Sequence, residues 1–241
     1  MSGATILRVG AIAIDVAACH NPAMKSITVL FATMCVCCLT TARAEDSTGN
    51  AQQIGTDLWK ASGGENWSKV KELRFTFNVE VDGKVVSSAQ HDWNVAAGTD
   101  HVKWKDKDFT VDLNSPSQEG DGKAAYARWV NDSYWLLAPL KIRDPGVKSQ
   151  SSGTKEVGGR SCETLQLSFE QVGLTPTDQY LLYIDPQTKL MCAWDYIPSS
   201  GQGMQATWEK YQTFGGLNLA TEHHFENKAV KFSGVEVVAD K

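Results

Sequence analysis

The chain has 241 residues, of which 42% are hydrophobic and 21% charged, which is enough for one well-filled domain or at most two small ones. Its 20 glycines and 7 prolines are ordinary counts that exclude a collagen-like or broadly low-complexity protein. The net charge is −5 and no basic block occurs, so no nucleic-acid partner is predicted.

The first part of the chain is predicted to be an export leader. An apolar run from Ile27 to Leu39 follows Lys25 and precedes Ala42-Arg43-Ala44, which is the pattern of a signal peptide with its cleavage site. The run is shorter than the about 20 residues that a membrane-spanning helix needs, so no transmembrane anchor is predicted. We expect cleavage after Ala44 and a soluble, exported, periplasmic protein.

The start of the leader is less regular than its end. Residues 1–23 fit a signal peptide poorly, whereas a start at Met24 gives a leader of ordinary length. We therefore predict Met24 as the true start, with one long leader from Met1 as the alternative. The leader then covers residues 1–44, and residues 45–241 form a single domain.

The six cysteines are divided between the leader and the domain. Four lie before residue 45, which leaves Cys162 and Cys192. Export into an oxidising compartment favours a disulfide between them. However, another predicted strand lies between theirs, which implies a separation of about 9–10 Å. A disulfide needs Cα atoms within about 7 Å, so the spacing argues against the bond.

The first half of the domain is predicted to be a helix followed by strands. Apolar residues repeat at helical spacing over residues 50–62, and Gly63-Gly64 ends the pattern. Residues 70–114 read as an antiparallel meander, because apolar and polar residues alternate from Leu73 to Val81 and Asp82-Gly83 favours a hairpin turn.

The second half begins with a helical region and returns to strands. Residues 123–130 have helical spacing, and the apolar segment from Tyr134 to Leu140 ends just after a proline. Further strands are predicted over residues 165–169, 180–184, 190–196, 204–213, 217–226 and 229–238. The fold class is therefore mainly β (α+β). We expect a strongly curved antiparallel sheet, a half-barrel of about ten strands, with helices covering its concave face.

The order of these elements resembles that of the bacterial lipoprotein-carrier superfamily (LolA and LolB). Four segments resemble an uncharacterised periplasmic branch of it: Tyr134–Pro139 (YWLLAP) with Lys141, Asp144–Val147 (DPGV), Val172–Pro176 (VGLTP) and Tyr183–Thr188 (YIDPQT). The resemblance implies a sheet whose apolar concave face, lidded by helices, shields acyl chains. None of the carriers' own functional residues is transferred to this chain.

Aromatic side chains on the predicted inner face are the candidate ligand-binding residues. They either line a hydrophobic cavity or fill an ordinary core, since both place apolar groups on the concave face. The inner-face candidates are Phe75, Phe77, Trp93, Trp104, Trp194 and Tyr196, and the candidates for a lid are Trp129, Tyr134 and Trp135.

Polar residues indicate no recognisable chemistry. We find no nucleophile elbow, phosphate-binding loop, dinucleotide fingerprint or zinc-binding spacing, so we predict no enzyme activity, no metal and no cofactor. His91, His101, His223 and His224 are interpreted as surface or hydrogen-bonded histidines. Arg128 and Lys141, which flank the aromatic helical region, are either solvated charges or contacts for a lipid headgroup.

The sequence thus favours a periplasmic protein that binds a hydrophobic ligand without chemistry. The expected ligand is a lipid or the acyl chains of a lipoprotein, held in the concave face. The alternative is an interaction module of the same fold with a filled core, whose partner is another envelope protein.

Overall fold

The computed structural model describes the backbone of residues 41–240 and the side chains of residues 50–240. Two long helices, α1 (Thr41–Ala61) and α2 (Gly120–Lys141), and a short 3-10 helix (Gly64–Lys69) lie among the strands. The strands are β1 (Val70–Val81), β2 (Lys84–Asn94), β3 (Thr99–Trp104), β4 (Lys107–Asp112), β5 (Val147–Val157), β6 (Arg160–Phe169), β7 (Gln179–Ile184), β8 (Met191–Ile197), β9 (Met204–Thr207), β10 (Glu209–Phe214), β11 (Leu217–Phe225) and β12 (Lys228–Ala239).

The strands form two antiparallel sheets that adjoin at one bent strand. The larger sheet has the order β10-β11-β12-β1-β2-β3-β4 and the smaller has the order β5-β6-β7-β8-β9. Only Trp208 separates β9 from β10, and its backbone N–H donates to the carbonyl of Cys192 at 2.9 Å. The chain therefore passes from one sheet to the other without a loop. Within the described residues, β4 and β5 remain edges and the sheets do not close into a barrel.

Helix α2 packs against both sheets and forms the centre of the core. Fourteen of its 22 residues are buried, far more than one face of a surface helix. The Trp129 ring lies 5.1 Å from that of Trp93 on β2. Trp135 lies 4.9 Å from Trp194 on β8 and 5.7 Å from Phe225 on β11. The main apolar core thus fills the space between the helix and the curved sheets.

A buried ionic cluster holds α2 against the larger sheet. His91 on β2 lies between two carboxylates, with Nδ1 2.7 Å from Asp100 on β3 and Nε2 3.1 Å from Asp132 on α2. Arg128, one helical turn before Asp132, donates to the same carboxylate at 3.2 Å. Burial opposes a charge on His91, but the hydrogen bonds to Asp100 and Asp132 outweigh it and raise the pKa of His91 to about 9. Two cations and two carboxylates then balance inside the protein.

The fold class predicted from the sequence is confirmed, with two differences in detail. The described residues form twelve strands in two sheets, whereas about ten strands in one sheet were expected. Strand β5 has no apolar alternation, because only Ser151 of its eleven residues is buried, and the predicted strand over 204–213 is divided at Trp208. The two predicted pieces of the middle helical region form one continuous helix, with Pro139 in its last turn.

The predicted start at Met24 and residues 1–40 of the predicted leader lie outside the described residues. Cleavage after Ala44 stays a prediction. The helix predicted over residues 50–62 corresponds to the C-terminal part of α1.

We predict that Trp194→Ala lowers the free energy of unfolding by about 3–5 kcal/mol, because truncating a fully buried tryptophan leaves a large cavity. Val85→Ala is the control: Val85 is 58% exposed, and its truncation is expected to change stability by about 0.5 kcal/mol or less. Urea denaturation measures both. A loss below about 1 kcal/mol for Trp194→Ala would mean that this ring borders solvent and not a packed core.

We further predict a pH-dependent stability that originates at His91. Its pKa is about 9 in the folded protein and 6.5 in the unfolded chain, so its contribution is complete below pH 6.5 and is lost as the pH rises through 9. The shift corresponds to about 3 kcal/mol. Unfolding free energies measured from pH 6 to 10 should fall in the wild type and fall less in His91→Gln.

His224→Gln is the matched control for that series, since His224 is an exposed histidine on β11. It should keep the pH dependence of the wild type. An equally steep decline in His91→Gln would contradict the assignment of the charge to His91.

Candidate functional site

The structure brings most of the predicted ligand-binding residues into one core. Seven of the nine are buried, with at most 2% of their surface exposed: Phe75, Phe77, Trp93, Trp129, Tyr134, Trp135 and Trp194. Tyr196 is partly buried at the edge of the same cluster, whereas Trp104 packs with a separate cluster around Ala89, Val102, Val111 and Ala125. The concave face is thus filled by these rings and by α2.

Several buried polar atoms in this core have no protein hydrogen-bond partner. The indole N–H groups without an acceptor in the described part of the chain belong to Trp93, Trp129, Trp135, Trp194 and Trp208. Each buried donor without an acceptor costs about 1–3 kcal/mol. An oxygen atom placed between α2 and the sheets would therefore accept a hydrogen bond from one of these indole N–H groups.

His223 lies within the same aromatic cluster and was not predicted as a site residue. Its ring is 4.4 Å from that of Trp208 and 5.4 Å from that of Trp135. Burial lowers the pKa of His223 to about 3, so the ring is neutral at physiological pH. His223 and Trp208 come together because β11 passes beside β9, a juxtaposition that strand periodicity does not encode.

An open pocket of about 490 Å³ lies where α1 faces the end of α2 and the start of the smaller sheet. Its wall contains both polar and apolar groups and includes Gln52, Gln53, Thr56, Ile142, Arg143 and Leu165. Arg143 is exposed, and its guanidinium stacks 4.1 Å from the Trp59 ring and donates to Thr56 Oγ1 at 3.0 Å. This pocket has a volume typical of small-molecule sites.

A second, more enclosed pocket of about 140 Å³ shares Arg143 with the first; we call it the tryptophan pocket. Its wall consists of Trp59, Trp67, Leu137, Leu140, Lys141, Arg143 and Asp144. The Trp59 ring lies directly against Gly64, where a β-carbon added to the glycine would come within 2.2 Å of the ring. Glycine at position 64 therefore leaves the space that the Trp59 ring occupies.

The charges of the tryptophan pocket do not balance. Lys141 is 4% exposed, and its ammonium lies 3.5 Å from the Asp144 carboxylate. Burial lowers the pKa of Lys141 and raises that of Asp144, while each partner opposes the shift of the other. Arg143 adds a second cation, so with all three groups ionised the wall carries one net positive charge. For Lys141, the interpretation as a plain solvated charge is wrong.

Arg128, the other cation considered for a headgroup, is engaged elsewhere. It belongs to the ionic cluster around His91 and Asp132. Sequence reasoning did not select Trp59, Trp67 or Arg143. Gly63-Gly64, between Trp59 and Trp67, is the one sequence signal in that region. It indicates that another group packs closely against the backbone there, but it does not identify that group.

The separation predicted for Cys162 and Cys192 is wrong. Their sulfur atoms lie 3.1 Å apart. The last pair between β6 and β7 is Glu163 with Ile184, so β7 ends before the level of Cys162. Cys192 lies at a β-bulge, where Tyr183 pairs with Ala193 and Ile184 with Met191. The bulge brings the Cys192 side chain to the face that carries Cys162.

No described helix combines the length and the apolar character that crossing a membrane requires.

Comparisons with known proteins find similarity in structure. No family model matches the chain, and no curated protein matches it by sequence. The chain is similar to a LolA superfamily protein from Nitrosomonas europaea, with 9% identity, a TM-score of 0.49, and coverage of 78% of this chain and 94% of that one. It is also similar to a DUF1329 family protein from Desulfovibrio piger, with 10% identity, a TM-score of 0.48, and coverage of 79% and 93%.

Proposed function

We propose that this protein binds a hydrophobic ligand with an anionic group, such as a fatty acid or a lysophospholipid, and performs no chemistry on it. The observation that carries the proposal is the tryptophan pocket with its unbalanced positive charge. Such a pocket suits an amphiphile, because one molecule supplies both the apolar surface and the missing negative charge. The predicted leader supports a periplasmic location for this activity.

The charged end of the ligand is expected at Arg143 and Lys141. A guanidinium presents several N–H donors in a plane, and of those of Arg143 one is used by Thr56. A carboxylate or phosphate can therefore accept from Arg143 while it approaches the Lys141 ammonium. An anion there would also offset the burial that lowers the pKa of Lys141.

The apolar end of the ligand is expected to enter the concave face beside α2. The enclosed volume of about 140 Å³ is too small for a long chain, so the C-terminal part of α2 has to move aside. Pro139 favours this movement, because proline lacks the N–H that would bond to the carbonyl of Trp135.

Burial of the chain supplies the affinity. Each buried methylene contributes about 0.8 kcal/mol, so about fifteen methylenes supply on the order of 12 kcal/mol before the costs of ordering the ligand and displacing the helix. The displacement makes binding reversible, as a carrier requires.

A second candidate function is an interaction module for another envelope protein. The filled concave face supports it, and so do Val85 and Val86, which are 58% and 61% exposed near the turn between β1 and β2. Recovery of one stoichiometric partner without lipid would favour this function over ligand binding.

We predict that dibromostearic acid quenches the tryptophan fluorescence of the delipidated protein, since bromine quenches at short range and Trp59 and Trp67 line the pocket. Arg143→Gln should weaken binding about 10-fold or more, because it removes a charge-assisted hydrogen bond. The methyl ester of the same acid, which lacks the charge, should bind the wild type and Arg143→Gln equally.

Lys148→Gln is the matched control, because this exposed lysine on β5 lies outside both pockets. It should bind like the wild type. Equal binding of the acid and its ester to the wild type would refute the anionic site and leave hydrophobic binding intact. No quenching by either compound, together with an empty protein in native mass spectrometry and in lipid extracts, would refute ligand binding itself.

A further inference from the structure

We propose that Cys162 and Cys192 form an intramolecular disulfide in the oxidised protein, which joins β6 to β8 past the end of β7. The proposal is independent of the function proposed above. It rests on the sulfur positions, on the bulge that produces them and on the surroundings of the pair.

The two sulfur atoms already face each other. They are 3.1 Å apart, and both side chains lie on the face of the smaller sheet that points away from α2. Cys162 is fully buried, whereas Cys192 is partly exposed. Formation of a bond of about 2.05 Å therefore requires an approach of about one ångström.

The surroundings favour the oxidised form. Among the described residues, Cys162 and Cys192 are the only cysteines, so no other thiol of that region competes for either sulfur. Burial and the neighbouring Cys162 raise the pKa of the Cys192 thiol, so the reduced form is not stabilised here by a thiolate. A disulfide has no proton to lose, and it suits this apolar surface beside Tyr183 and Ala193.

The reaction is an exchange with the disulfide of an oxidised thiol carrier. The Cys192 thiolate, which is the accessible one, attacks one sulfur of the carrier and releases the other as a thiolate. The Cys162 thiolate then attacks Cys192 Sγ, forms the internal bond and releases the second carrier thiolate. The two cysteines lose two electrons and two protons, and the carrier gains them as a dithiol.

The bond would join β6 to β8 at the end of the smaller sheet where the hydrogen-bonded pairing through β7 is interrupted. Cys192 has no pairing partner on β7, and Cys162 lies beyond the last pair of β6 with β7. A cross-link between β6 and β8 replaces the missing connection. It also closes the loop between the two cysteines and so reduces the entropy of the unfolded chain.

Peptide mapping without reductant tests the bond in the full chain. After incubation with oxidised glutathione and alkylation of free thiols, trypsin should release residues 161–189 linked to residues 190–210. Reduction should separate the two peptides. The linked species should come from the monomer band of a non-reducing gel.

Thermal unfolding provides a second measurement. The oxidised wild type should unfold roughly 5–15 °C above Cys192→Ser, as expected for a cross-link that closes a loop of this size. With reductant present, the wild type and Cys192→Ser should have the same midpoint within about 2 °C, which controls for a packing effect of the serine. Cys162→Ser should behave like Cys192→Ser under oxidising conditions.

Two results would overturn the proposal. The first is complete alkylation of both cysteines after exposure to oxidised glutathione. The second is recovery of the linked peptides from a covalent dimer alone.

Discussion

The position of α2 depends on the buried ionic cluster that joins it to the larger sheet. The carboxylate of Asp132 is buried, and it is tolerated there because His91 and Arg128 both bind it. Removing either partner would leave a buried charge, so the helix has one stable position along the sheet. The aromatic contacts between α2 and the strands form with the helix in that position.

The middle of α2 and its C-terminal end differ in their electrostatics. Around Arg128 and Asp132, near the middle of the helix, the charges balance, and α2 is joined to β2 and β3 through His91 and Asp100. At its last turn Lys141 is buried against one carboxylate, Arg143 adds another cation, and Pro139 weakens the backbone ladder. In the proposed function, displacement of the last turns of α2 by the ligand would leave the ionic cluster near the middle of the helix undisturbed.

The spacing of apolar residues predicted the features that depend on a single strand or helix. It did not predict the features that depend on contacts between elements. The alternation from Leu73 to Val81 predicted β1 correctly, because its inner face packs on the core. Strand β5 was missed, since an edge strand with polar side chains carries no such pattern. The burial of Lys141 and the approach of Cys192 to Cys162 depend on a helix end and a bulge, which sequence spacing does not describe. Four of the predicted inner-face aromatics, Phe75, Phe77, Trp93 and Trp194, are buried in the main core, and their packing there depends on tertiary contacts that strand parity does not describe.

The pairing of β1 with β12 delays the assembly of the larger sheet, because the two strands are far apart in the sequence. These strands lie side by side from Val70 and Ala239 to Val81 and Lys228, in the middle of the larger sheet. A chain that emerges N-terminus first, from a ribosome or a translocation channel, holds β1 without this neighbour until β12 has also emerged, about 150 residues later. The larger sheet thus cannot assemble before β12 is available. Strand β12 is accordingly part of the centre of the fold, and deletion of residues 228–239 would remove a central strand and not a frayed end.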